Sequence, residues 1–192
     1  FTVQNKVLPG AYINFVSMGT NAKMGERGVA ALPLELNWGP EGQVFKLDAA
    51  DFNATSMKVF GYDPTDANIL LVREAMKRAK TLLIYRVNGG GTKASATVGG
   101  MTVTAKYGGT RGNAIKVAVI TNVDDATKAD VVTYLDDMVM DSQTVAKSGG
   151  AASLVANDFV TFGTVATLAA ATATPLTGGA NATSTPRSTP PP

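Results

Sequence analysis

The sequence contains neither cysteine nor histidine. Without cysteine there is no disulfide, no thiolate metal site and no thiol nucleophile, and nothing marks an oxidising compartment. The missing histidine removes the commonest general base and the commonest metal ligand together. Catalysis would have to rest on carboxylates, lysines, serines and tyrosines, and none of these forms a spaced constellation. Charge of either sign is also scarce. Lys and Arg number 17 against 15 Asp and Glu, a net +2 with a pI near 8.8, and the cations are scattered. That balance argues against nucleic acid and against an anionic membrane surface as partners. No apolar run approaches the roughly 20 residues needed to span a bilayer, which argues against direct membrane insertion. No secretory signal opens the sequence, so the sequons at Asn53-Ala54-Thr55 and Asn181-Ala182-Thr183 read as chance.

What remains is ordinary globular composition, 45% hydrophobic and 17% charged over 192 residues, enough for one large domain or two small ones. Residues 1–17 read as an extended arm. Pro9-Gly10 punctuates it, and Ile13 and Phe15 then alternate with Tyr12 and Asn14. Residues 18–28 are glycine-rich and polar, a loop leading to a strand at 29–36, where Pro33 implies an edge or a bulge. Trp38-Gly39-Pro40-Glu41-Gly42 reads as a turn before a short strand at 43–47. Asp48 is a plausible N-cap for a helix to Phe60, with Phe52, Met57 and Phe60 inward and Gly61 ending it. A second helix, 67–80, opens at Asp63-Pro64-Thr65-Asp66 and carries Ile69, Val72, Met76 and Ala79 at helical spacing. Thr81 to Val87 follows with Leu82, Leu83 and Ile84 consecutive, the pattern of a strand buried on both faces. Strand, helices and strand make a partial α/β domain over 18–88.

Gly89, Gly90 and Gly91 break the composition and read as a hinge. Beyond them the helical pattern disappears. Residues 93–98 and 101–106 flank Gly99-Gly100, a pair suited to a primed hairpin turn. Further strand-like segments at 115–123, 131–135, 138–145, 158–162 and 166–172 make 92–178 a small β-rich domain of sandwich or barrel type. Residues 179–192 are Gly, Ala, Asn, Ser, Thr and Pro apart from Arg187, and read as a linker or disordered tail. The fold class expected is therefore α+β.

Two motifs resemble ligand sites. Asn88 to Ser95, NGGGTKAS, has glycines ahead of a lysine, but Thr92 separates Gly91 from Lys93 and the phosphate-loop spacing fails; an interdomain hinge is the better reading. Asp124-Asp125, Asp136-Asp137 and Asp141 lack the spaced loop of a calcium site and read as turn and surface residues. No cofactor and no metal are expected.

The densest signal is at 106–120, KYGGTRGNAIKVAVI. Three glycines and an asparagine lie within Tyr107-Gly108-Gly109-Thr110-Arg111-Gly112-Asn113, a loop of defined shape. Ile115, Val117 and Val119 then alternate as one face of a strand. Arg111 sits on the loop, where it is either solvated or able to reach an anion or carboxylate. This run resembles the tail sheath proteins of contractile phages and phage-like particles. So do Asn5-Lys6-Val7-Leu8-Pro9-Gly10-Ala11-Tyr12-Ile13-Asn14-Phe15, Gly25-Glu26-Arg27-Gly28, Leu32-Pro33-Leu34 and Trp38-Gly39-Pro40. Asp141-Ser142-Gln143-Thr144-Val145, Asn157-Asp158-Phe159-Val160 and Leu176-Thr177-Gly178-Gly179 follow in the same order. The family continues beyond the Gly-Gly into a large C-terminal region, where this sequence ends in STPRSTPPP.

The resemblance implies a structural subunit that polymerises helically around a tail tube and contracts to drive it through a cell envelope. Its implied partners are other sheath subunits, the tube protein and the baseplate and terminator proteins, in a virion tail or phage-like particle assembled in the host cytoplasm. The arm, through Val7, Leu8, Pro9, Tyr12, Ile13 and Phe15, would add a strand to a neighbouring subunit. Residues 18–88 would be the start of an α/β domain completed by the C-terminal region, with 92–178 inserted in it, and would expose apolar surface. The alternative reading is a surface or secreted β-domain that binds without catalysis.

Overall fold

The computed structural model describes residues 28–183, and the arm residues lie outside them. Strand β1 (Val29–Leu34) is followed by β2 (Val44–Asp48), α1 (Phe52–Phe60), α2 (Leu70–Met76) and β3 (Thr81–Arg86). The strands form one sheet in the order β1-β3-β2, with β1 parallel and β2 antiparallel to β3. Pro33 lies on β1, an edge strand, as a residue lacking the ladder donor must. The helices cover one face of this sheet only. Phe52, Phe60, Ile69, Val72 and Met76 pack on Leu47, Leu82 and Ile84.

Local chemistry explains where the elements depart from expectation. Asp48 caps no helix: it ends β2, and its carboxylate accepts the Thr81 hydroxyl at 2.6 Å. Helix α1 starts four residues later, after Asp51. Asp66 does cap the second helical stretch by accepting from the Asn68 N–H. That stretch opens as a 3-10 turn, Ala67–Ile69, and becomes α-helical only after Ile69 leaves helical geometry (φ −115°, ψ 23°). Ile69, Val72, Met76 and Ala79 are all buried. Strand β3 is not buried on both sides as its run of apolar residues suggests: Leu82 and Ile84 face the helices, while Leu83, Tyr85 and Val87 are 36%, 42% and 42% exposed on the other face. No described residues are packed there as a second layer of helices would be.

The rest is a sandwich. Strands β4 (Ser95–Val98), β5 (Met101–Ala105) and β9 (Val160–Phe162) form one sheet in the order β4-β5-β9. The facing sheet, in the order β10-β6-β7-β8, holds β6 (Ile115–Thr121), β7 (Lys128–Leu135), β8 (Met138–Ala146) and β10 (Ala171–Pro175). Gly99 and Gly100 take φ of 57° and 88°, the conformation of the expected primed turn. Ile115, Val117 and Val119 face Met101, Val103 and Ala105 across a common core. A bridge between Ser95 and Thr177 stitches the two sheets along one side. Strand β10 begins later than its alternation implies. Leu168 is buried in the core, so 166–169 crosses the end of the sandwich, bonding to Lys147 and Gly99. An Ala/Thr tract specifies register weakly, and one large apolar anchor overrides it. Among the described residues the architecture is therefore mixed, two helices and ten strands in three sheets.

Candidate functional site

The sequence motifs converge where the two units meet. Gly108 and Gly109 lie where backbone crosses backbone. A Cβ on Gly108 would stand 2.2 Å from the Gly91 carbonyl oxygen, and one on Gly109 would stand 2.1 Å from that of Asn37. Gly91 in turn has the Ala180 carbonyl oxygen 2.3 Å from where its Cβ would be. Asn37 and Gly91 thus meet the motif loop, and 180–182 in turn meets Gly91, at approaches that only glycine allows.

Side chains complete the crossing. Tyr107 stands edge-on against Trp38, centroids 5.3 Å apart. Trp38 is 1% exposed and belongs to the sandwich core, although it comes from the segment preceding β2. Burial, with the nearby Asp158 carboxylate second, pushes the Tyr107 hydroxyl pKa upward. Arg111 lies over the Tyr62 ring at 4.3 Å, and its Nε donates to the Gly61 carbonyl at 2.6 Å. Its two terminal nitrogens grip Asp136 in a fork. Asp136 and Asp137, at φ 50° and 65°, make the turn between β7 and β8, with Asp137 held by Lys116 at 2.6 Å. Arg111 is therefore a clamp on the end of α1, and only 10% of its side chain is exposed. Gly112 fits between Ala94 and Ala105. Asn113 exchanges two hydrogen bonds of 2.8 Å with the backbone of Gly179.

The stretch from 179 to 183 is no linker in its described part. Ala180 bridges to Thr92, and Asn181 reaches Asn37 on one side and the Thr110 N–H on the other. Gly89, Gly90 and Gly91, expected as a hinge, are held in this crossing as well. The Gly90 N–H donates to Glu41 at 2.7 Å, and Gly89 packs on the Glu41 side chain.

Several contributors carry no motif. Arg86 is 1% exposed and donates to the Gly39 and Gly108 carbonyls, tying the turn before β2 to the motif loop. Burial lowers its pKa, against the pull of the Glu41 carboxylate. The Asn88 side chain pairs with both backbone groups of Leu36, as a strand would. Lys58 on α1 reaches Asp158 at 2.9 Å and holds that carboxyl below its ordinary range, with desolvation opposing. The signals available were a lone arginine in an apolar strand and a lone tryptophan. The carbonyls that the arginine reaches are 22 and 47 positions away, and the one that the tryptophan reaches is 20 away. Among the described residues no group of three or more acidic side chains is placed to hold a metal.

This junction lies between two regions that known families divide at the same place. Residues 27–87 match the family described as the N-terminal region of domain III of tail sheath protein Gp18, and residues 89–181 match the phage tail sheath protein beta-sandwich domain. The chain belongs to the phage tail sheath family. Its relatives include the phage-like element PBSX protein XkdK of Bacillus subtilis, 40% identical over 164 residues, which are 84% of this chain and 34% of XkdK. The uncharacterized protein YqbK of the same organism is 41% identical over 83% of the chain and 33% of its own length. Crystal structures of two sheath tail proteins superpose well. That from Desulfitobacterium hafniense gives a TM-score of 0.76 at 44% identity, covering 92% of this chain and 40% of its own. That from Listeria innocua gives 0.73 at 39%, covering 84% and 36%. The chain thus spans about a third of the length of the curated relatives it matches.

Arg111→Ala should cost about 2 kcal/mol of folding free energy in urea denaturation, since hydrogen bonds to charged groups contribute roughly 1.5–3 kcal/mol. Arg111→Lys should recover less than half of that, because an ammonium cannot fork Asp136 while reaching Gly61. Full recovery with lysine would show that charge alone holds this corner.

Proposed function

We propose that this chain is part of a sheath subunit that polymerises helically around a tail tube and contracts to drive the tube through a target envelope. Its partners are other sheath subunits, the tube protein, and the baseplate and terminator proteins. It works as a structural element of a virion tail or phage-like particle assembled in the host cytoplasm, with no catalysis and no cofactor. The observation that carries this reading is the match of both units, in order and in one chain, to sheath regions. The junction supports it. A subunit that passes between two packings has to move its outer domain as a body, and the glycine crossing, Trp38 and Arg111 tie the sandwich to the α/β unit at several separate points.

The sandwich is read as an insertion. The chain enters it at Thr92 and leaves at Ala180, and these two residues are bridged side by side. The α/β unit then resumes after 183 in the longer relatives and covers the open sheet face.

Subunits are joined by the arm, residues 1–17. An extended strand leaves backbone groups unpaired until it adds to a sheet edge, and a head-to-tail exchange of this kind generates an open helix. In a whole sheath protein carrying this segment, deletion of residues 1–16 should leave a soluble subunit and abolish polymerisation. Ile13→Pro should do nearly the same. Sheaths of normal length in electron micrographs of the deletion would sink the arm's role.

A further inference from the structure

The α/β sheet has two outer edges, and they are not equivalent. Thr81 donates to Gly28 and Val87 to Leu34. A parallel ladder with these bonds turns the even-numbered residues of β1 toward β3, leaving Val29, Ala31 and Pro33 with their backbone groups outward. Pro33 ends that outward row without an N–H, leaving Val29 and Ala31 as its two donors, so β1 is poorly suited to receive a full strand. On the other side Ala49 donates to Lys80, which places Phe45 and Leu47 in bonded pairs with Ile84 and Leu82. The N–H groups of Val44, Lys46 and Asp48 therefore point away from the sheet. Among the described residues none of the three donates to a partner, and of their carbonyls only that of Asp48 is engaged, by Asp51.

The β2 edge also borders the uncovered face. Val44 is 60% exposed beside Tyr85 and Leu83. The place where the chain leaves the sandwich lies near the start of β2: Ala180 to Ala182 pack on Gly91, and the preceding Gly89 and Gly90 pack on Glu41. A recess of about 420 Å³ opens at this corner between Glu41, Tyr85, Val87 and Gly90. Roughly two thirds of each curated relative lies outside the match, and the matched half-domain is itself described as an N-terminal region.

We propose that β2 is the growing edge of this sheet. The polypeptide that follows residue 183 in the longer sheath chains passes through the Glu41–Tyr85 corner and adds a strand along Val44, Lys46 and Asp48, in the same chain. Its apolar side chains cover Val44, Leu83 and Tyr85. Strand β1 remains the terminal edge. The inference rests on the reading that the longer chain completes this domain, and it adds which edge is used and by what.

Hydrogen exchange tests it on two proteins as they stand, this 192-residue chain and whole XkdK. In this chain the outward amides in 43–48 and in 29–31 should both exchange freely. In XkdK the segment aligned with 43–48 should exchange on the order of 100-fold more slowly, as expected of amides released only by opening of paired structure, and the segment aligned with 29–31 should stay fast. Protection on the β1 side alone overturns the proposal. Protection at β2 that disappears on dilution also overturns it, because the strand then belongs to another copy. Hydroxyl-radical footprinting of the segment aligned with 83–87 separates the two levels. If that face is shielded in XkdK while 43–48 exchanges freely, the edge assignment fails alone; if neither is shielded, the completion of the domain fails with it.

Discussion

Gly109→Ala is expected to cost about 4 kcal/mol of stability, the sum of roughly 1–3 kcal/mol for a strained backbone and 1–3 for overpacking. The residue sits at φ 136°, which side-chain-bearing residues rarely adopt, and the new methyl would meet the Asn37 carbonyl oxygen at 2.1 Å. Backbone, unlike the tip of a side chain, cannot swing aside. The Arg86 guanidinium is 3.1 Å from the same point, so relief in that direction would disturb its bonds to Gly39 and Gly108. Gly149→Ala is the control. It too has positive φ, 71°, but nothing lies within 4 Å of its Cβ position. It should cost only the left-handed penalty, about 1–2 kcal/mol. Equal losses in thermal unfolding would mean that conformation, not the crossing of segments, explains the glycine.

Trp38→Ala should be comparably severe, about 3–5 kcal/mol, the range for removing a large buried aromatic. Trp38 fills the sandwich core from outside the sandwich's own sequence, meets Tyr107 edge-on and donates from Nε1 to the Lys58 carbonyl at 3.4 Å. Its removal opens the contact between the units as well as the core. Because it is the sole tryptophan, unfolding of the variant has to be followed by circular dichroism. Trp38→Phe should lose less than half as much. A loss below 1 kcal/mol for alanine would show that the sandwich is energetically independent. The same geometry bears on an isolated 92–178 fragment, which would lack Trp38, the partly buried Met57 and the 179–183 strap. Such a fragment should unfold at markedly lower urea than the parent.

Much of the fold is legible in local pattern. Alternation at Ile115, Val117 and Val119, the paired glycines at 99 and 100, and helical spacing at Ile69, Val72, Met76 and Ala79 each report a single element whose buried face depends on its own period. Misplaced boundaries arise where a neighbour overrides that period. Asp48 bonds to Thr81 across the sheet instead of starting a helix. Leu168 holds the chain across the end of the sandwich and delays β10.

By itself the sequence determined the absence of thiol and imidazole chemistry, the order of helical and strand-forming stretches, and the glycine-rich loop from Tyr107 to Asn113 by which it resembles the sheath proteins. Those properties belong to single residues or to short windows. What the loop does was decided only by tertiary structure. Arg111 could have been a solvated cation; the turn at Asp136 and the end of α1 at Gly61, 25 and 50 residues away, make it a clamp. Gly91 and Gly108 are needed because segments 17 positions apart in sequence touch there, a closeness no periodicity encodes. Strand β3 looks buried on both faces from its composition, yet one face is open, because burial depends on what lies opposite and nothing in a strand's own residues states that.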